Sequence, residues 1–178
     1  MSDRYDLPAP ALSYWVVPGR FLAGPNPYGA ADPKRLLELL SVGINIFISL
    51  QPEGESCTAD YSPALHRAAA SRHRKVHFLR SPMPDGSVCS PKQMSEVLNT
   101  IDSRLSAGHN VFLHCWAGNG RTGLVVGCWL VRHGLSGEDA LRQIESLRSH
   151  DEHLASWSSP HTTQQCAMVR RWHSLEKE

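Results

Sequence analysis

No apolar run in this 178-residue chain approaches the roughly 20 residues needed to span a bilayer. The first thirty residues lack a basic segment leading into an apolar stretch, so neither a membrane partner nor a signal peptide is expected. An excess of one charge is missing as well. Eighteen Lys+Arg stand against 17 Asp+Glu, which argues against a broad nucleic-acid surface or a polybasic membrane patch. Cysteine is scarce and unpatterned: five residues, at 57, 89, 115, 128 and 166, with no C-x-x-C pair. That fits neither a secreted disulfide framework nor a zinc ribbon, and it points to reduced thiols in a cytoplasmic protein. Repeats, low-complexity segments and linkers are lacking, and 41% hydrophobic with 20% charged residues excludes a disordered chain. The expectation is one domain over residues 13–178, preceded by a loose segment, 1–12, that carries prolines.

Strand and helix signals alternate along the chain. Tyr14–Val17 and Arg20–Gly24 read as two short strands about a Pro-Gly turn. Asp32 and Pro33 suit an N-cap and first helical position for a leucine-rich helix that Gly43 ends. The run 44–50 (INIFISL) is continuously apolar, as in a strand buried on both faces. A helix over 63–74, a strand over 75–79 and a Pro/Gly-rich loop over 81–91 follow. Met94, Val97, Leu98, Ile101 and Leu105 then recur at helical spacing. Residues 110–115 form another buried strand, 123–134 an apolar helix, and Ser136 with Asp139 a helix start. A last helix runs from about Thr162 to Leu175, and SHDEH (149–153) reads as a polar loop. This alternation indicates an α/β fold with a mainly parallel central sheet flanked by helices. Ligands of such sheets bind beyond the carboxyl ends of the strands, so chemistry is expected just after residues 50, 79 and 115.

The segment HCWAGNGRTG (114–123) lies between a strand and a helix. Gly118, Gly120 and Gly123 let the backbone curl so that successive N–H groups point inward and bind an anion. The positive end of the following helix adds to that attraction. Cys115 sits at one rim, where these groups favour the thiolate, and Arg121 returns at the other. A guanidinium grips two phosphate oxygens in a fork that lysine does not match. Thiolate, oxyanion donors and a bidentate cation around one centre describe nucleophilic attack on a phosphoester. A cysteine at a strand end is otherwise an inert small hydrophobe, the better reading for the other four.

The loop resembles the signature H-C-x5-R-[ST]-G of the cysteine-dependent tyrosine and dual-specificity protein phosphatases. The resemblance implies the protein tyrosine phosphatase-like fold, a phosphocysteine intermediate on Cys115 and no metal or other cofactor. It also implies phosphate binding by Arg121 and the amides of residues 116–121, namely Trp116, Ala117, Gly118, Asn119, Gly120 and Arg121. Thr122 would ease departure of the thiolate, and His114 would orient the loop from behind. Both are also residues that satisfy buried hydrogen bonds. The resemblance extends from about Val17 to Trp172, with 114–123 its specific part.

Departure of the leaving group requires a proton donor, and Asp85 suits the part. It follows a strand, lies in the loop PMPDGSVCSP and precedes Cys115 by thirty residues. Pro-Asp-Gly is also a common turn sequence, which is compatible with an acid loop. Asp102 is assigned to the solvated face of its helix, and the acid-loop tryptophan of longer tyrosine phosphatases is absent. P-x-T-x-x-Q at 160–165 resembles a C-terminal family element in which a glutamine approaches the site. That makes Gln165 a candidate substrate-binding residue, with an ordinary helix start capped by Ser159 or Thr162 as the other reading. His150 and His153 lack a third metal ligand at suitable spacing. Cys57 and Cys89 lie in loops from which either could trap an oxidised Cys115, with simple packing the plainer role.

Trp116, Ala117 and Asn119 stand where lysines would favour phosphoinositides, and Thr-Gly after the arginine leans toward tyrosine-type members. The expected function is hydrolysis of phosphoproteins, at phosphotyrosine with dual specificity left open. The expected partners are a phosphorylated protein or peptide and phosphate- or sulfate-type oxyanions. The alternative is a module of the same fold that binds phosphorylated partners without turnover. Sulfur or arsenate chemistry at a similar loop ranks behind both.

Overall fold

Residues 8–28, 33–55 and 60–177 are described in a computed structural model of the chain. Met1 to Leu7, Asp32 and Cys57 lie outside the described residues, so the loose terminus and the Cys57 redox reading stay with the sequence. Five strands alternate with helices: β1 Tyr14–Val17, β2 Phe21–Gly24, α1 Lys34–Ser41, β3 Ile46–Ser49, α2 Ser62–Ala70 and β4 His77–Arg80. Then come α3 Pro91–Ser106, β5 Val111–His114, α4 Gly120–Arg132, α5 Gly137–Arg148, α6 Glu152–Ala155 and α7 Thr163–Leu175.

The strands form one sheet in the order β1-β2-β5-β3-β4. The β1–β2 edge pair is antiparallel, and β2, β5, β3 and β4 run parallel. Period-2 alternation then sends side chains to opposite faces. Phe21, Ala23, Ile46, Ile48, Val111 and Leu113 enter one core, under α3, α4, α5 and α7. Leu22, Phe47 and Phe112 enter the other, with α1 and α2. Helix α4 is buried from Arg121 to Val131 because α3, α5 and α7 surround it. That is the expected place for a helix apolar on every side.

Register places the site. Gly24, His114, Ser49 and Arg80 are linked in register across neighbouring strands. The segments after β2, β5, β3 and β4 therefore leave from the same sheet edge.

Several local expectations shift. Pro33, expected at the first helical position after an Asp32 cap, is itself the N-cap, so α1 starts one residue later than expected, and the proline's φ of −69° suits either place. The helix foreseen over 63–74 stops at Ala70, and His73 turns the chain with φ +53°. The strand expected over 75–79 starts at His77 and runs to Arg80. Residues 152–155 form a helix where a polar loop was expected, because the Asp151 carboxylate accepts from the Leu154 N–H and Leu154 is buried. Asp102 is not simply solvated: it accepts from Trp129 Nε1 at 2.8 Å and faces Arg132 and His133, tying α3 to α4.

Candidate active site

Strand β5 ends at His114, and α4 begins at Gly120. The five residues between them must reverse the chain within a tight space. Gly118 takes φ +75°, and a Cβ there would stand 2.6 Å from Gly24 C and Pro25 N, so the loop can lie against the end of β2 only with glycine. The Asn26 N–H donates to Trp116 O, fixing the opposite side of the turn. Helix starts are usually closed by a side chain, and Ser90, Ser136, Asp151 and Thr162 close α3, α5, α6 and α7. Asn119 makes no such bond at α4. Pro33 at α1 and Tyr61 at α2 make none either, but the start of α4 lies at the Cys115 cavity, where its first N–H groups are left without a capping side chain and can serve an anion.

Cys115 is 3% exposed and lines a cavity of about 190 Å³. Arg121, Asp85, Gly120, His161 and Trp157 line the same cavity. Two segments distant in sequence thus supply the residues expected as nucleophile, phosphate fork and acid. Arg121 is 1% exposed. Its Nη1 pairs with Glu55 Oε1 at 2.9 Å and its Nε stands 3.1 Å from Asp85 Oδ1. Glu55 in turn accepts from Gln51 Nε2, and Gln51 Oε1 accepts from Asn26 Nδ2, so a polar chain holds the guanidinium. Asp85 is itself exposed and sits in a turn with Gly86, whose φ is +67°. Turn-former and site residue are one and the same here.

His114 is fully buried behind the loop. Its Nδ1 lies 3.0 Å from Cys115 O and its Nε2 2.7 Å from Tyr61 Oη. A carbonyl only accepts, so Nδ1 carries the proton and Nε2 accepts from the tyrosine. Burial lowers the His114 pKa to about 4, partly offset by the bond to Cys115 O. The imidazole is thus a neutral strut. Thr122 is also buried, and its hydroxyl has no hydrogen-bond partner among the described residues.

Gln165 is fully buried and takes the helix-start place that the other reading gave it. As the third residue of α7 it completes a capping box with Thr162. Its side-chain Oε1 accepts from the His161 and Thr162 N–H groups, while Nε2 donates to Ser87 O in the Asp85 loop at 3.0 Å. The same amide lies against Gly120, where a Cβ would come within 3.2 Å of Oε1.

Two site residues went unforeseen. Glu55 lies in the segment after β3 already marked for chemistry, but Gln-Pro-Glu-Gly-Glu gives no reason to choose it over Glu53. Arg148 is 2% exposed and donates to Gly118 O, Asn119 Oδ1, Leu154 O and Trp157 O. It braces the cradle from below, and its guanidinium stacks 5.9 Å from the Tyr14 ring. Its spacing of four from the buried Ile144 was a usable signal. Of the remaining thiols, burial pushes Cys89 up to about 11 and Cys128 well above the ordinary range, which suits packing. His150 turns both ring nitrogens toward carbonyls, those of Leu147 and Ser13.

Residues 10–175 match the family model "PTP-SAK: Swiss Army Knife protein, DSP-PTPase phosphatase domain". The chain belongs to this phosphatase family. Among curated relatives, it is 35% identical over 98 residues to the Arabidopsis thaliana phosphatidylinositol 3,4,5-trisphosphate 3-phosphatase and protein-tyrosine-phosphatase PTEN1, covering 54% of this chain and 23% of that protein. It is 29% identical over 144 residues to the Mus musculus protein tyrosine phosphatase type IVA 2, covering 79% of this chain and 78% of the relative. The match thus spans less than a quarter of the first protein and about three quarters of the second. The crystal structure of Tk-PTP in the active form superposes with a TM-score of 0.68 at 26% identity, covering 94% of this chain and 97% of that one. The expected phosphatase-like fold is therefore the observed one.

Proposed function

We propose that this phosphatase domain is an active phosphomonoester hydrolase for phosphoproteins, phosphotyrosine foremost, working through a phosphocysteine intermediate. One observation carries the reading: Cys115, Arg121 and Asp85 converge on a single cavity at a helix start that no side chain caps. In the first step the Cys115 sulfur attacks phosphorus, an S–P bond forms and the ester P–O bond breaks. The departing oxygen takes a proton from Asp85 and leaves as the alcohol or phenol. The Arg121 fork and the amides of residues 116–121 hold the equatorial oxygens as charge gathers on them. For this to happen the phosphate replaces the Asp85 carboxylate beside Arg121 Nε, and Glu55 keeps its hold on Nη1.

In the second step the Asp85 carboxylate takes a proton from water, the water oxygen bonds to phosphorus and the S–P bond breaks. Inorganic phosphate departs and the thiolate is restored. The unpartnered Thr122 hydroxyl is suited to donate to the leaving sulfur, while Gln165 positions the Asp85 loop through Ser87.

The test is hydrolysis of an aryl phosphate and of matched phosphotyrosine, phosphoserine and phosphothreonine peptides, with EDTA present. Wild type is expected to turn over the aryl ester and favour the phosphotyrosine peptide, and Cys115→Ser to lose at least about four orders of magnitude. Activity surviving Cys115→Ser overturns the mechanism. Tight peptide binding by the wild-type chain without turnover makes it a binding module instead.

A further inference from the structure

The cavity around Cys115 continues past its rim. Trp116, Ala117, Asn119 and Trp157 line it and also form one side of a second cavity of about 620 Å³. That volume lies in the range of small-ligand sites, about 300–1,000 Å³. Leu12, Pro25 and Leu154 supply apolar walls, and Arg35 reaches in from the start of α1. Trp116 and Trp157, at 42% and 52% exposure, are among the few large apolar side chains left open to solvent.

Arg35 is the unsatisfied group. Its Nε and Nη2 are buried, and neither has a hydrogen-bond partner among the described residues. Glu38 and Asp151 act on it only through their charge. The Asp151 oxygens are engaged by the N–H groups of Leu12 and Leu154, at 3.0 and 3.1 Å. A guanidinium desolvated without an anion in its fork is costly, and the cost is relieved when a ligand brings the anion. Among the described lining residues the other titratable group is His153. A site with one half-buried cation and aromatic walls fits a single carboxylate on an apolar arm better than a headgroup bearing several phosphates.

We propose that this cavity is an accessory subsite for the substrate, in which a carboxylate residue flanking the phosphorylated residue of a phosphopeptide pairs with Arg35 while its chain lies against Trp116 and Trp157. The proposal rests on the Cys115 cavity being the phosphomonoester site, with which it shares a wall.

The experiment uses phosphotyrosine peptides of one sequence, with Glu placed in turn at each position from about −3 to +3 and compared with its Gln twin. Wild-type kcat/KM and calorimetric Kd on the Cys115→Ser protein are both measured. At one position Glu is expected to improve affinity over Gln by about tenfold, as a charge-assisted pair does. That ratio should fall to about one in Arg35→Gln and be partly restored in Arg35→Lys. Trp157→Ala, at an exposed site, should weaken the favoured peptide several-fold. No preferred position, a ratio that survives Arg35→Gln, or an unchanged Kd in Trp157→Ala overturns the proposal. So does an inositol polyphosphate that competes through Arg35 more strongly than any peptide. If wild type hydrolyses none of the peptides, the hydrolase reading fails while the Glu/Gln ratio in Kd still decides the subsite.

Discussion

The two loops that meet over Cys115 are built on opposite plans. Residues 114–121 are held from every side. Trp116 O accepts from the Asn26 N–H, Arg148 reaches Gly118 O and Asn119 Oδ1, and Ser159 Oγ donates to Asn119 O. The Asp85 loop hangs from a few points instead. The Met83 N–H donates to Leu50 O, Gln93 Nε2 to Pro82 O and Gln165 Nε2 to Ser87 O, with Asp85 exposed between them. A cradle that stabilises charge has to be preformed, because reorganisation would cost what it stabilises. An acid that serves first the leaving group and then water needs access to both.

That contrast can be broken at either end. Arg121→Lys strikes the rigid side. Losing the fork while keeping the charge is expected to lower kcat/KM for an aryl phosphate by about 10³-fold, and a near-normal rate would show that the fork is dispensable. His114 tests the same side through stability. Its folded pKa, about 4, lies below the 6.5 of an unfolded histidine. The unfolded state therefore binds the extra proton between these values. The stabilisation is complete above pH 6.5 and is lost as pH falls toward 4, by about 3 kcal/mol, or a little over two decades in the folding equilibrium. Denaturant titrations at several pH values should show this slope in wild type and its absence in His114→Gln; parallel curves would refute the buried neutral imidazole.

Asp85→Asn strikes the hanging loop. It should lower kcat by about 10²-fold for phenyl phosphate and far less for an ester with an activated leaving group, with inorganic phosphate inhibition little changed. An equal loss for both esters would remove Asp85 as the acid. Gln165→Ala loosens one suspension point, and about tenfold in kcat is expected. If the loss appears in KM for phosphate-bearing ligands alone, Gln165 acts on the cradle through Gly120 rather than on the acid loop.

How legible each loop was follows from its construction. The cradle is contiguous, so its cysteine and arginine fall within ten residues and line one cavity with Gly120, while Gly118 supplies the left-handed turn and Gly123, inside α4, makes room for Ser159 and Pro160 instead. Asp85 could be chosen by strand-end logic, since the parallel strands end in register. Glu55 could not be chosen on local grounds, because it draws its meaning from a partner 66 positions away; the spacing of Arg148 from Ile144 marked it as inward-facing, but the groups it braces lie about 30 positions away. Helix α6 escaped for a related reason: a four-residue helix survives on the burial of Leu154 and an Asp cap, too little signal for periodicity to show.

The sequence by itself determined the α/β order, the glycine-rich turn between β5 and α4 and the one cysteine that sits in it, since those depend on local propensity and on neighbours along the chain. Only the tertiary structure decided what surrounds that turn. Sheet register brought Glu55 and Asp85 to Arg121, and helix packing put Arg148 beneath the cradle and Arg35 beside its rim. Desolvation and long-range pairing arise from burial, and burial exists only once the chain has folded.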